Sequence, residues 1–400
     1  MMDEDIYFKK EVTLKHAEET LRFRVSQTLF SSHRVDTGTA FLLRTLSGGF
    51  RKVLDLGCGY GPLGLTLKKL NPDAAVHLVD RDALAVAYAR QNAELNRLDS
   101  VEAYGSLGYD DVQERDFDLV VSNIPGKAGE PAISSFLRDA AGYLVPGGLV
   151  AVVVVAALEP AVSSVLGATP GIDIILGKER SGHAVFHYRF VEREAGDVPA
   201  AGSSLERGIY HRDHLLISSR GLEYRVETVR GLPEFDSLGY HTELLLAGMQ
   251  RVQPTAPARA LVFNPGQGHV PVALWKLMQP ENMVLVGRDL LALRCSEMNL
   301  VRNGCPAENI ALRHCVGLDI DDDTKADIIV CNIDKDEGPA ANAQSVRQAV
   351  GMLAPGGSLL VAGTSTVITR LADIVHGEKL LSVRERKKSK GYGLLVLASA

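Results

Sequence analysis

The chain has 400 residues, of which 46% are hydrophobic and 23% are charged, and its formal net charge at pH 7 is −6. This composition excludes a disordered chain, and the length predicts two domains rather than one core. The longest apolar run, residues 149–158, is too short to cross a bilayer. Without a signal-peptide pattern or a C-x-x-C pair among the five cysteines, we expect a cytoplasmic protein with no disulfide framework and no metal site.

The first half predicts alternating strands and helices that follow a β-rich segment over residues 7–30. Short apolar strands separated by helices are typical of a mostly parallel sheet, here of seven strands, covered by helices on both faces. The last strand alternates as an antiparallel edge strand would. The predicted elements in chain order are strand RKVLDLG, helix 62–70, strand AAVHLVD, helix 83–96 capped by Asp82, strands VEAYGS and FDLVVSN, helix 131–144, and strands LVAVVVV and AVFHYRF.

The second half repeats the first, which indicates a duplicated domain. Matching positions of the two halves differ in residue number by a nearly constant offset. The offset is 201 for residues before the first strand of the sheet, including Gly38 and Gly239. It is 207 around the glycine-rich loop and 209 from Asn123 onward. The small, polar stretch GDVPAAGSSLERG is typical of a linker. We therefore predict domains over residues 1–195 and 209–400 that are joined by a linker over 196–208.

A glycine-rich loop, VLDLGCGYGPLG, follows the first predicted strand of the sheet. Gly57, Gly59 and Gly61 allow a sharp turn against which a ligand can pack closely. Asp55, two residues before the first glycine, would repel the pyrophosphate of a dinucleotide, which makes a nicotinamide oxidoreductase a weak alternative. A ligand with an amino group and a sulfonium would be attracted, and the loop therefore predicts S-adenosylmethionine.

A second carboxylate, Asp80, ends the next strand, where its oxygens can accept both ribose hydroxyls of a nucleoside. The alternative is that Asp55 and Asp80 only cap strand ends. Cys58 is better explained as a small packed residue than as a nucleophile. The predicted cofactor site consists of Asp55, Gly57, Cys58, Gly59, Gly61, Asp80, Arg81, Ser106, Leu107 and Asn123, with Ser106 and Leu107 beside the adenine.

The fourth strand ends in VVSNIPGKAGE, and here the sequence resembles the methyltransferase small domain family of class I methyltransferases. The two-copy layout resembles the ribosomal RNA guanine-N2 methyltransferases, in which one copy is catalytic and the other has lost the cofactor. The segment LFSSHRVDTGTAFLL is similar to the family's segment ahead of the first strand. The resemblance implies two tandem Rossmann-like class I methyltransferase domains with RNA, most plausibly ribosomal RNA, as the substrate.

The resemblance also assigns roles to the strand end. Asn123 and the carbonyl of Ile124 would hold the target amino group and aim its lone pair at the methyl carbon, and Pro125 would stiffen the turn. An alternative for Asn123 is a simple turn or cap residue. Gly126 replaces the aromatic residue that stacks on a planar substrate in the family, a contact worth about 1–3 kcal/mol.

Three other residues near this strand end could have either a functional or a structural role. Phe30 or Tyr60 could supply the missing aromatic face, although either could belong to the core. Lys127 could contact a phosphate or be a solvated loop residue.

The second half lacks the same charges. Val262 stands at the position of Asp55, Gly287 at that of Asp80, and NIDK at that of NIPG. We interpret this half as a degenerate copy whose glycines serve the turn, with Asp289 as a helix cap. Its basic run RERKKSK could follow an RNA backbone or form a solvated hairpin.

The preferred hypothesis is an S-adenosylmethionine-dependent N-methyltransferase that acts on an exocyclic amino group of ribosomal RNA, guanine N2 above all. Methylation of a protein glutamine or a small amine is a second hypothesis from the same chemistry. A third is a scaffold protein that binds the cofactor without turnover. The expected protein is a monomer without membrane or metal partners.

Overall fold

The computed structural model describes residues 5–191, 201–252, 257–320, 325–333, 335–379 and 381–399. The chain divides into one unit formed by Phe8–Tyr210 and a second formed by His211–Ala400 together with Met1–Tyr7. Of the predicted linker, residues 196–200 lie outside the described residues. The rest, residues 201–208, belongs to the first unit.

The first unit contains a two-stranded hairpin and a seven-stranded sheet. The sheet order is β5-β4-β3-β6-β7-β9-β8, in which β3 to β7 run parallel and β9 is antiparallel to both of its neighbours. The strands are β1 (Phe8–His16), β2 (Glu19–Ser26), β3 (Lys52–Leu56), β4 (Ala75–Asp80), β5 (Val101–Gly105), β6 (Phe117–Asn123), β7 (Leu144–Val155), β8 (Ile172–Arg180) and β9 (His183–Phe190). The helices are α1 (Thr37–Leu43), α2 (Pro62–Leu70), α3 (Ala83–Leu95), α4 (Glu130–Arg138) and α5 (Glu159–Ala168).

The second unit repeats this architecture. Its sheet order, β14-β13-β12-β15-β16-β18-β17, is the same sequence of positions, and this agreement confirms the predicted duplication of an α/β fold. The strands are β10 (His211–Ser219), β11 (Leu222–Val229), β12 (Arg259–Phe263), β13 (Asn282–Gly287), β14 (Ile310–His314), β15 (Ala326–Asn332), β16 (Leu353–Thr364), β17 (Ser382–Ser389) and β18 (Tyr392–Ala398). The helices are α6 (Tyr240–Val252), α7 (His269–Met278), α8 (Leu290–Arg302), α9 (Pro339–Met352) and α10 (Ser365–Gly377).

Two elements at the end of the first sheet escaped the sequence analysis. Helix α5 and strand β8 lie between the last two predicted strands, and β8 rather than β9 forms the edge of the sheet. The side chains of β8 are mostly exposed, so this strand lacks the apolar run that identified the others. The predicted helix over 131–144 is also shorter, because α4 ends at Arg138 and a 3₁₀ turn follows it.

Each hairpin is fastened to its unit by asparagines of one helix. Asn92 on α3 accepts a hydrogen bond from the Arg24 N–H at 2.7 Å and donates to the Arg24 carbonyl at 3.0 Å, as a neighbouring strand would. Asn299 on α8 makes the same pair of bonds with Glu227, at 2.8 Å each. Arg24 and Glu227 are 203 positions apart, so the predicted offset of 201 for this segment is wrong by two residues.

Helices α3 and α8 begin in the same way. Asp82 accepts a hydrogen bond from the Leu84 N–H at 3.0 Å, and Asp289 accepts one from the Leu291 N–H at 3.1 Å. Both carboxylates therefore satisfy a backbone donor that the helix leaves unpaired. Asp289 is the helix cap that the sequence predicted. Among the described residues, no helix is long and apolar enough to cross a membrane.

Candidate functional site

A cavity of about 650 Å³ lies in the first unit at the carboxyl ends of β3, β4 and β6. Its volume suits a small organic ligand, and its place, where the strand order reverses beside β3, is where open α/β sheets bind ligands. The predicted site residues on its wall are Asp55, Gly57, Cys58, Gly59, Asp80, Arg81, Ser106, Leu107, Asn123, Ile124 and Pro125. Gly61 instead begins α2, where an added Cβ would meet the side chain of Leu65.

The glycine-rich loop is a turn in the left-handed backbone region. Gly57, Gly59 and Gly61 have φ values of 75°, 57° and 90°, which side chains rarely adopt. In the second unit Gly266 and Gly268 keep this conformation with φ values of 60° and 95°. Gly59 and Gly61 are thus required by the turn itself, whether or not a ligand binds there, whereas Asn264 takes the position of Gly57 with a φ of 55°.

Asp55 is buried at the base of the cavity, with 1% of its surface exposed. One carboxylate oxygen accepts a hydrogen bond from the Gly64 N–H, in the first turn of α2, at 2.8 Å. Burial, with a contribution from the charge of Asp80, raises the pKa of Asp55 to about 7. A cation in the cavity would offset this desolvation, so the site favours a positively charged ligand.

Asp80 ends β4 and is held by two backbone donors. Its oxygens accept hydrogen bonds from the Gly59 N–H and the Asp82 N–H, both at 2.9 Å. Burial and the charge of Asp82 raise the pKa of Asp80 to about 6. Because each carboxylate oxygen has a second lone pair, the side chain can still accept hydroxyl donors from a ligand.

Cys58, next to these carboxylates, is not prepared for nucleophilic chemistry. Burial and the charges of Asp80 and Asp55 raise the pKa of its thiol well above the usual range. The thiolate is therefore disfavoured, and the structure supports a packing role.

The loop after β5 closes the side of the cavity beyond Asp80. The Ser106 hydroxyl donates to the Gly108 carbonyl at 2.7 Å and accepts from the Asp111 N–H at 3.2 Å. The Leu107 N–H donates to the Asp111 carboxylate at 3.2 Å. These bonds hold Ser106 and Leu107 as a preformed wall.

Asn123, at the end of β6, has an orientation set by residues that the sequence analysis did not single out. Its amide nitrogen donates to the Asp36 carboxylate at 2.9 Å and to the Thr39 hydroxyl at 3.0 Å. Because a carboxylate can only accept, Asp36 determines which end of the amide is the donor. The amide oxygen is left as the acceptor on the cavity wall.

Asp36 and Thr39 lie in the segment LFSSHRVDTGTAFLL and both line the cavity. Asp36 is also the N-cap of α1, because it accepts a hydrogen bond from the Thr39 N–H at 3.1 Å. An aspartate three residues before a threonine at a helix start is a recognisable cap pattern. That pattern could have identified Asp36, but not its contact with Asn123.

The turn after Asn123 is held by backbone bonds. The Ile124 N–H donates to the Val153 carbonyl at 3.0 Å, and the Ala128 N–H donates to the Pro125 carbonyl at 3.1 Å. A Cβ at Gly126 would make only ordinary contacts, at 3.7 Å from Val155. The glycine is therefore not required by packing.

The two candidates for an aromatic face differ in exposure. Phe30 lines the cavity with 72% of its surface exposed, so its ring is available to a ligand. Tyr60 also lines the cavity, but it is buried and packs edge-on against Phe23 with ring centroids 5.8 Å apart. The structure thus favours Phe30. Lys127 is an exposed residue on the cavity rim, which leaves both of its interpretations open.

In the second unit, packing replaces the ligand contacts. Val262 is buried at the position of Asp55. Asn264, at the position of Gly57, donates to the Asn332 carbonyl at 3.0 Å. Its side-chain oxygen lies 3.5 Å from the point a Cβ of Gly287 would occupy. Asn264 therefore lies beside the position that corresponds to Asp80. Asp334, which replaces Pro125, lies outside the described residues.

A group of possible metal ligands lies on the second hairpin. The ligand atoms of His211, His214 and Glu227 lie within 4.8 Å of one another. However, the Glu227 carboxylate already pairs with the guanidinium of Arg302. The geometry therefore favours a hydrogen-bonded cluster over a metal site.

The first unit combines a Rossmann-like sheet, a glycine turn and two strand-end carboxylates, and this architecture defines the class I methyltransferase fold. Residues 20–169 match the model of the family described as "Methyltransferase small domain". This part of the chain is similar to that family, as the sequence predicted.

Named relatives match about a third of the chain. The chain is 38% identical over 135 residues to "Ribosomal RNA small subunit methyltransferase C" of Hahella chejuensis, a match that covers 32% of this chain and 39% of the relative. It is 37% identical over 157 residues to "Ribosomal RNA large subunit methyltransferase G" of Shewanella loihica, covering 36% and 39%. The chain therefore spans about two fifths of the length of the curated relatives it matches.

One solved structure resembles the whole chain. The T. thermophilus 16S rRNA N2 G1207 methyltransferase, solved with AdoMet and guanosine, aligns over 98% of both chains with a TM-score of 0.66 and 18% identity. At this identity the likeness concerns the fold, which has two methyltransferase-like domains.

Proposed function

We propose that this protein is an S-adenosylmethionine-dependent N-methyltransferase that modifies the exocyclic amino group of guanine in ribosomal RNA. The proposal rests chiefly on the orientation of Asn123. Asp36 fixes the nitrogen as the donor end of the amide, which leaves the amide oxygen of Asn123 as the acceptor on a residue that lines the cavity together with Asp55 and Asp80. An acceptor aimed beside two carboxylates suits an amine and a cationic cofactor.

The cofactor would be held by the two strand-end aspartates and by residues of the loops that follow β3 and β5. Asp80 would accept the ribose hydroxyls, and Asp55 would lie near the positive groups. Ser106 and Leu107 would flank the adenine, and the backbone of Gly57 and Gly59 would allow close approach. Bound S-adenosylmethionine supplies an electrophilic methyl group.

The protein's part in transfer is to position the amine. The Asn123 amide oxygen and the Ile124 carbonyl would accept the two N–H bonds of the amino group, which aims the nitrogen lone pair at the methyl carbon. The nitrogen–carbon bond forms as the carbon–sulfur bond breaks, and one amino proton then passes to water. The exposed ring of Phe30 would stack on the planar base.

Ribosomal RNA is the preferred acceptor because two named relatives are ribosomal RNA methyltransferases. The related T. thermophilus enzyme was solved with guanosine and is named for an N2 position. We assign guanine N2 for this reason, and a cytoplasmic location and a monomeric state follow as part of the same proposal.

The second unit would contribute an RNA-binding surface and structural support. Its edge strand β17 carries the exposed basic run 384–390, and such a run can follow a phosphate backbone. Glu385 within the run is paired with Arg251 at 2.8 Å, which leaves the remaining lysines and arginines to determine its charge.

A protein glutamine or small amine remains the second candidate acceptor. It is favoured by Gly126, which provides no stacking face where the family has an aromatic residue. A scaffold that binds the cofactor without turnover is the third candidate.

Two measurements test the proposal. Titration calorimetry should show micromolar binding of S-adenosylmethionine and none of NAD. Nucleoside profiles of ribosomal RNA from cells with and without the gene should then differ by one N2-methylguanosine. An unchanged profile with intact cofactor binding would exclude the RNA acceptor, and a lack of cofactor binding would refute the enzyme assignment.

A further inference from the structure

Two tyrosines occupy equivalent places ahead of the two hairpins. Tyr7 precedes β1 and Tyr210 precedes β10, and each hairpin begins with the same register irregularity, at Phe8 and at His211. Both pairs are 203 positions apart, the offset that the asparagine contacts give. Tyr7 nevertheless belongs to the second unit and Tyr210 to the first.

Tyr7 lies against the loop that follows β14 in the second unit. Its hydroxyl is 3.5 Å from the place a Cβ of Gly317 would take. Gly317 follows β14 as Gly108 follows β5, so it marks the counterpart of the predicted adenine position. Burial and the charge of nearby Glu337 raise the pKa of Tyr7 to about 12. A tyrosine at this position of the repeat thus lies beside the adenine wall.

Tyr210 lines the 650 Å³ cavity of the first unit and is 5% exposed. Its segment is fastened to the adenine side of that cavity. The Ser204 hydroxyl donates to Asp110 at 2.7 Å, and Asp110 belongs to the turn that starts at Leu107. The Arg207 guanidinium donates to Asp139 at 2.8 Å, and both side chains are largely buried.

The same segment has a defined conformation of its own. The Ser203 N–H donates to the Glu206 carboxylate at 2.7 Å, and the Glu206 N–H donates back to the Ser203 hydroxyl at 3.3 Å. This reciprocal pair is a capping box, which orders a short turn. Residues 203–210 are therefore a preformed part of the first unit rather than a free connector.

We infer that Tyr210 forms a wall of the cofactor pocket and packs against the adenine of bound S-adenosylmethionine. The inference rests on the proposed function and extends the cofactor site beyond the family-matched residues 20–169. The cavity keeps its volume with Tyr210 in place, so the ring borders the ligand space rather than filling it. Tyr210 is a positioning and affinity residue with no part in the transfer step.

The test compares the two equivalent tyrosines in the full-length chain. Titration calorimetry with S-adenosylmethionine should show that Tyr210→Ala weakens binding about 5- to 100-fold, the range for one lost aromatic stack on a base. Tyr210→Phe should bind like the unchanged protein because the ring remains. Tyr7→Ala, the matched control, should also bind unchanged.

Three results would overturn the inference: unchanged affinity in Tyr210→Ala, tighter binding in that variant, or an equal loss in Tyr210→Phe. Tighter binding would mean that the ring blocks the pocket. Absent binding by the unchanged protein would instead refute the proposed function, so the two failures are distinguishable.

A tryptophan variant tests the same contact by fluorescence, so that the result does not depend on Tyr210→Ala folding correctly. The chain has a single tryptophan, Trp275, in the second unit. Tyr210→Trp in a Trp275→Phe background places the only indole at the proposed wall. Adding S-adenosylmethionine should quench its fluorescence, and adding methionine alone should not. Equal responses to the two ligands, or none to either, would contradict adenine contact.

Discussion

The two halves of this protein share a backbone but differ in where they keep charge. Both have the same strand order, the same left-handed glycines before a helix and the same capping aspartates at Asp82 and Asp289. Among the described residues, only the first half has carboxylates at the carboxyl ends of its central strands, with Asp55 buried and Asp80 partly buried. The glycines and capping aspartates, which the turn and the helix require, are therefore present in both halves. The strand-end carboxylates, which a ligand would require, are present in one.

The carboxylates of Asp55, which is buried, and Asp80, which is partly buried, are costly without a ligand. Asp55 and Asp80 have raised pKa values because burial disfavours their charged forms. The second half avoids this cost with Val262 and Gly287. Retention of unfavourable charge in one copy is therefore evidence of function there.

The largest expected effect is on the rate of methyl transfer, and it separates the two strand-end asparagines, Asn123 and Asn332. Asn123→Ala should lower the rate of methyl transfer roughly 100- to 1000-fold, as for the loss of one oriented polar group at a reacting centre. Cofactor affinity should stay within a few-fold. The measurement is single-turnover transfer to unmodified ribosomal RNA, with Asn332→Ala as the matched control. Normal transfer by Asn123→Ala would refute its positioning role.

The next effect concerns two aspartates, Asp80 at the end of β4 and Asp289 after β13. Asp80→Ala should weaken S-adenosylmethionine binding about 100-fold, because charge-assisted hydrogen bonds to ribose hydroxyls contribute roughly 1.5–3 kcal/mol each. Asp289→Ala should leave binding unchanged and lower the free energy of unfolding by about 1 kcal/mol through loss of a helix cap. Calorimetry and urea unfolding measure the two quantities. Equal binding losses would break the contrast between the halves.

Exchanging the residues at the equivalent positions Asp55 and Val262 tests how each half depends on them for its free energy of unfolding. Val262→Asp should lower the free energy of unfolding by about 2–4 kcal/mol, because it buries a polar group in a packed site. Asp55→Val should cost less, since it removes a buried carboxyl whose charged form is already disfavoured, and it should abolish cofactor binding. Urea unfolding of both variants tests this. A larger loss for Asp55→Val would show that Asp55 is structural.

The smallest expected effect is on pH dependence. The pKa of about 7 for Asp55 means that its charge is lost as pH falls below 7, and that of Asp80 follows near 6. Affinity for the cationic cofactor should therefore be highest above pH 7, fall by up to about tenfold per pH unit between pH 7 and 6, and fall more steeply below pH 6, where Asp80 also loses its charge. Calorimetry from pH 8 to 5.5 measures the slope. Asp55→Asn should flatten the upper part of the curve.

Local pattern was sufficient for most of the fold. The buried strands around the glycine loop and helices α2 and α3 were predicted because apolar runs, helix caps and turn glycines depend only on residues that are close together in the sequence. Strand β8 was missed because an exposed edge strand needs no apolar face. The hairpin offset was wrong by two because a shift of two residues in a strand leaves the same side chains facing inward.

The site was predictable where its signals are short in sequence. Asp55 and Asp80 stand at strand ends next to the glycines, so their proximity follows from parallel pairing of β3 and β4. Asp36 was missed because its contact with Asn123 joins residues 87 positions apart. The choice of Phe30 over Tyr60 was also left open by the sequence, because burial is a property of the packed chain.

Sequence alone determined the repeated α/β architecture, the family of the first half and the loss of carboxylates from the second, because these depend on residue types at fixed local spacing. Only the tertiary structure decided which end of the Asn123 amide is the hydrogen-bond donor and where Tyr7 and Tyr210 lie. Such features depend on contacts between segments distant in the chain, where side-chain direction and packing select the partner.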